Sequence, residues 1–139
     1  MRLWHYKLIP YLPNSQLWLL AQWRELNSIY AKQDKHILIN YIYEYPKYDL
    51  LAYSNLVIAE MEKRNFKINT SKYENYFDKI DAYCLLDKVD FKPFKDHHND
   101  RYLKQCFYNL QEKYDRGQKD FSKELYENLE NFINSSNVN

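Results

Sequence analysis

The sequence predicts a mostly α, compact single-domain helical fold with an extended amino-terminal arm and irregular connections. Three observations lead there. Apolar residues return every three or four positions in five separate stretches, the pattern of helices with one buried face. Proline and polar runs, rather than glycine-rich hairpin turns, separate those stretches. The 139 residues contain no internal repeat and suit one core-forming unit over residues 1–139.

The arm, residues 1–13, carries Pro10 and Pro13, which resist a continuous helix and favour extended, turned backbone. Asn14 or Ser15 offers a side-chain oxygen to cap a first helix. Leu19, Trp23, Leu26 and Tyr30 then define its buried stripe, with Gln22 and Glu25 sharing a neighbouring face and Arg24 turned away from Glu25. In "HILINYIYEYP", Ile37, Ile39, Tyr41 and Tyr43 alternate with more polar neighbours. That alternation predicts an extended segment, with a short buried helix as its alternative.

Beyond Pro46, Leu50, Val57 or Ile58, and Met61 predict a helix from Lys47 to Arg64, with Asn65 as its terminal residue. A shorter helix is expected over Tyr73 to Leu85. "DKVDFKPFKDHHND" reads as a polar loop. Leu103, Cys106 and Leu110 predict a helix from Arg101 to Arg116, ended by Gly117. Phe121, Leu125, Leu129 and Phe132 predict a last helix before a flexible tail, residues 134–139.

Composition narrows the function classes. A net charge of +1 argues against non-specific nucleic-acid binding through bulk charge, yet 9 basic against 6 acidic residues through Lys67 give +3 there, and the remainder carries −2. The local field decides binding, so an anionic ligand near the amino-terminal half is permitted. With 15 Tyr, 7 Phe and 3 Trp, aromatic surface is plentiful for a core, an interface or base stacking. Trp23 falls on the core stripe, which leaves Trp4 as the freer stacking candidate. Cys84 and Cys106 form neither a disulfide framework nor a CxxC pair, favouring a reduced, cytoplasmic setting, and both are expected to be buried packing residues. The amino terminus lacks the apolar run of a signal peptide or membrane helix, so neither export nor membrane association is expected. His97 and His98 lie near Asp96 and Asp100, but adjacent side chains diverge and no further soft ligands accompany them. No metal and no cofactor is expected.

Three stretches, in order, carry a family likeness: "MRLWHYKLIPYLPNSQLWLLAQWREL", which ends on Arg24–Glu25; "KHILINYIY", which contains His36; and "EMEKRNFKI". A looser similarity continues through "RYLKQCFYNLQEKYDRG". Together they resemble the pyrimidine-dimer DNA glycosylase family of the endonuclease V type. The resemblance implies a helical repair enzyme that cuts the glycosidic bond of a damaged pyrimidine and then breaks the strand at the abasic site. In that family the amino-terminal α-amine attacks the sugar C1′ and forms an imine, and a glutamate of the first helix assists.

Carried over, the resemblance implies Met1 and Glu25 as the catalytic pair. It implies DNA contacts at Arg24, at Arg2 beside the reactive terminus and at His36, with damaged double-stranded DNA as the partner of a monomer. Arg2 is large and disfavours removal of Met1, so Met1 itself is expected to supply the amine. An α-amine has a reference pKa of about 7.7 to 8.0, which leaves roughly a tenth or more as neutral nucleophile near neutral pH. The family's bacteriophage member ends in an aromatic, basic segment that "FINSSNVN" does not match. By residues alone, two other classes stay open: a helical nucleic-acid-binding protein without chemistry, and a protein-interaction module.

Overall fold

The computed structural model describes residues 1–15 and 18–137. Residues 1–5 form no regular element, and Tyr6–Tyr11 then tighten into a 3-10 helix with Pro10 inside it. The second half of the arm expected to be extended is therefore helical. A short 3-10 helix tolerates proline because few backbone N–H groups are committed there. Its opening is fixed by His5, whose ring Nδ1 accepts the Lys7 N–H at 3.1 Å.

Helix α1 spans Leu19–Lys32, later than the Asn14 or Ser15 start that the sequence suggests. The Asn14 side chain is engaged elsewhere, accepting from Arg64 Nη1 at 2.7 Å. Leu19, Trp23, Leu26, Ile29 and Tyr30 are buried, and so is Gln22. The polar Gln22 shares the buried side of α1 with this apolar stripe.

The extended segment expected after His36 does not form. Residues 37–39 turn, and Asn40–Glu44 make a second 3-10 helix. Ile39 and Ile42, three apart, are buried, whereas Ile37 is 85% exposed. A three-residue period thus wins over the two-residue alternation, and no strand forms among the described residues to pair with it.

Helix α2, Lys47–Lys63, follows the predicted bounds, and Asn65 closes it at a φ of 65°. It packs on α1, on both 3-10 helices and on the later helix Lys79–Leu86, and its Tyr53 is fully buried. The single helix predicted over Tyr73 to Leu85 is two: α3, Ser71–Tyr76, and α4, Lys79–Leu86. Asp78 makes the break by capping α4, where it and Asp81 exchange reciprocal hydrogen bonds with each other's backbone N–H. Helix α5, Asp100–Asp115, is capped by Asn99 and ended by Gly117 at a φ of 76°. That left-handed geometry suits glycine.

Helix α6, Lys123–Asn137, buries Tyr126, Leu129 and Ile133. It carries the first four residues of the expected tail in helical form; Val138 and Asn139 lie outside the described residues. Cys106 is buried as expected, but Cys84 is only half-buried, and both are free thiols. Among the described residues no helix is long and apolar enough to cross a membrane.

Candidate active site at the amino terminus

The arm is pinned residue by residue. Leu3 is fully buried, and its carbonyl accepts the Tyr102 hydroxyl at 2.6 Å. The Trp4 N–H donates to Gln22 Oε1 at 2.8 Å, and its carbonyl lies 2.6 Å from the Tyr53 hydroxyl. One residue earlier than Leu3, the Arg2 carbonyl accepts from Gln22 Nε2 at 3.0 Å. With these anchors in place, Met1 still stands at the surface, 39% exposed.

Glu25 comes back to this terminus from α1. Its Oε2 accepts from Gln22 Nε2 at 3.0 Å, and the Arg2 backbone N–H donates to the same carboxyl. The carboxyl is half-buried, and burial pushes its pKa above the ordinary carboxylate value. The Arg2 N–H, the amino-terminal ammonium, the Gln22 amide and Arg24 oppose that rise, each by favouring the charged form. A carboxyl balanced this way can hold a negative charge beside the terminal nitrogen or take a proton from it.

Arg2 turns its guanidinium into an aromatic corner, 5.7 Å from the Trp4 ring and 5.9 Å from the Tyr102 ring, with Nη1 3.9 Å from Cys106 Sγ. Trp4 is half-buried and tilts against Trp18 at 5.8 Å, so part of its ring is committed to packing. Arg24 is exposed and edges a groove of about 530 Å³, which Lys32 and Lys72 also line. A cleft of about 610 Å³ beside Arg64 and Phe121 includes none of the terminal cluster.

Four of the six sequence-predicted positions, Met1, Arg2, Trp4 and Glu25, thus share one neighbourhood; Arg24, the residue before Glu25, favours the charged carboxyl but lines the separate groove beside α1. His36 lies at the start of the turn after α1. It is exposed, its Nδ1 accepts the Leu38 N–H and its own N–H donates to Asn40 Oδ1. Both of these hydrogen bonds stay within the turn that His36 opens.

Sequence reasoning missed most of the supporting residues. Gln22 alone gave a signal, as a polar side chain one turn from Glu25. Tyr53, Tyr102, His5 and His98 gave none. His98, in the presumed polar loop, is buried. Its Nδ1 accepts the Tyr6 N–H at 3.1 Å and its Nε2 lies 2.6 Å from the Tyr41 hydroxyl, clamping the arm from another side. Phe94, also in that loop, is fully buried and held by Asp49, whose Oδ2 accepts its N–H at 2.9 Å.

No curated protein and no solved structure matches the chain. A family model described as pyrimidine dimer DNA glycosylase matches residues 1–74, which contain the arm, α1 with Glu25, the His36 turn and α2 with Tyr53. With more than half of its length matched, this chain belongs to the pyrimidine dimer DNA glycosylase family.

Proposed function

We propose that this protein excises pyrimidine dimers from duplex DNA by attack of the Met1 α-amine on the sugar C1′, assisted by Glu25, and that the resulting imine supports an abasic-site lyase step. The observation that carries the reading is the return of a half-buried Glu25 carboxyl to the electrostatic range of the amino-terminal ammonium.

In the first step the neutral nitrogen bonds to C1′ as the bond from C1′ to the pyrimidine breaks, and the base leaves with the electron pair. The ionised Glu25 stabilises the positive charge that develops on the sugar. The nitrogen then loses a proton, the ring oxygen gains one, and ring opening leaves a protonated imine. That imine acidifies C2′: removal of its proton expels the 3′ phosphate, and water afterwards releases the amine.

Arg24, Lys32 and Lys72 supply phosphate contacts along the groove beside α1, and Arg2 acts next to the reacting nitrogen. The chemistry requires a duplex held with at least one nucleotide displaced, so distorted DNA binds in preference to intact DNA. The reaction runs in a monomer in the cytoplasm.

Glu25→Gln tests the proposal on a duplex carrying one cyclobutane dimer. The amide keeps size and hydrogen-bonding capacity but removes the charge. Excision falls by about 10²-fold or more while affinity for the duplex changes little. Excision by Glu25→Gln at the wild-type rate overturns the role of the carboxylate.

A further inference from the structure

We propose that Gln22 is a positioning residue, whose single side-chain amide locks Glu25 and the amino-terminal arm into one fixed register. This rests on the reading of Met1 and Glu25 as the reacting pair.

Gln22 is 1% exposed on α1, close to the apolar Leu19, Trp23 and Leu26. A primary amide offers two acceptor sites and two donors, and here all four are used. Oε1 receives the Trp4 N–H and lies 2.8 Å from the Tyr53 hydroxyl; Nε2 donates to the Arg2 carbonyl and to Glu25 Oε2. The partners dictate the amide's orientation. A backbone N–H can only donate and a backbone carbonyl can only accept, so oxygen must face Trp4 and nitrogen must face Arg2.

The two arm contacts flank Leu3, and the first of them falls one residue after Met1. Held at Arg2 and Trp4, the terminal nitrogen has little freedom left. The same amide donates to the carboxyl that is to act on it, and i,i+3 spacing on α1 makes that bond possible without distortion. Tyr53 completes the lock from α2 through one hydroxyl proton poised between the Trp4 carbonyl and Gln22 Oε1.

Glutamate would not serve at this position. A carboxylate has no N–H for the Arg2 carbonyl and sets a second negative charge one turn from Glu25. The charged and titratable groups facing Glu25 are the terminal ammonium, Arg24 and Tyr53, with the Arg2 N–H and Gln22 as uncharged donors. Removing the Gln22 donor therefore favours the protonated carboxyl, whatever happens to the arm.

The test uses the full chain with Gln22→Met, Gln22→Glu and Tyr53→Phe. Two readouts need no catalysis: the Glu25 carboxyl titration by carbon-13 NMR and hydrogen exchange at the Trp4 amide. A third is the single-turnover rate of borohydride-trapped adduct on an abasic duplex, with the dissociation constant measured alongside. Gln22→Met raises the Glu25 titration midpoint and speeds Trp4 exchange. Both Gln22 variants slow trapping by about 10²-fold, as misplacement of reacting groups does, with DNA affinity kept within about threefold.

Unchanged Glu25 titration and Trp4 exchange in Gln22→Met overturn the proposal, as does trapping by both Gln22 variants within about twofold of wild type. If the Gln22 variants do not fold, Tyr53→Phe decides, because it keeps the buried ring and removes only the shared hydroxyl. Faster Trp4 exchange there supports the lock, and unchanged exchange overturns it. Wild-type protein that never traps, while Gln22→Met still shifts both NMR readouts, keeps the lock and removes the amine chemistry instead.

Discussion

His5 Nε2 lies 2.8 Å from the carbonyl of His98, joining the arm to a residue 93 positions away. Each ring accepts a backbone N–H at Nδ1, His5 from Lys7 and His98 from Tyr6, so each neutral ring carries its proton on Nε2. Burial, the largest cause for both, lowers the His5 pKa to about 4 and that of His98 to about 2.

Acid therefore loosens the arm. The unfolded chain takes up histidine protons near pH 6.5, whereas the fold refuses them until far lower pH, so stability is complete above about 6.5 and declines as pH falls toward 4. Each histidine contributes a slope of at most about 1.4 kcal/mol per pH unit. Glu25 and Asp49, raised by burial, work the other way and soften the decline at its acid end. Thermal melts across this range fall with acidification, and His98→Gln lowers Tm at neutral pH while flattening the slope. A wild-type Tm that is level from neutral pH to about 4.5 contradicts the neutral-histidine clamp.

Arg64 holds the other end of the arm. Its guanidinium donates to the Pro10 and Leu12 carbonyls and to Asn14, and pairs with Glu60 at 2.8 Å. Arg64→Met removes all four contacts and leaves two carbonyls without that partner. Loss of about 2 to 4 kcal/mol in urea unfolding is expected. A change below about 0.5 kcal/mol shows that solvent replaces the clasp.

Phosphate contact along the α1 groove has a signature in salt. Replacing one contacting cation removes one released counterion, so Lys72→Gln flattens the log–log dependence of affinity on salt by about 0.9. Binding titrations over several salt concentrations check this, and an unaltered slope takes Lys72 off the DNA path.

Legibility in the sequence tracked how local the causes were. Helices α2 and α5 were readable because each has one apolar stripe and a terminal signal, Asn65 or Gly117, within its own stretch. The segment after His36 misled because alternation implies a strand only where a neighbouring strand completes it, and here Ile39 and Ile42 sink into the core together. The break between α3 and α4 was written in Asp78 and Asp81, a capping box with an acidic residue where glutamate is the commoner partner. Phe94 and His98 stayed hidden because their partners, Asp49, Tyr6 and Tyr41, lie 45 to 92 positions away. Glu25 was singled out by family resemblance; its pairing with Gln22 followed from helical spacing, but its approach to Met1 depends on an arm whose anchors come from four different parts of the chain.

The identity of the nucleophile is the central claim, and reductive trapping reads it directly. Damaged duplex DNA incubated with the protein and borohydride becomes covalently linked, and peptide mass mapping places the link on the Met1 nitrogen. Blocking that nitrogen by acetylation abolishes the adduct. A link found on a lysine side chain, or no adduct from dimer-containing and abasic duplexes that the protein demonstrably binds, contradicts the account.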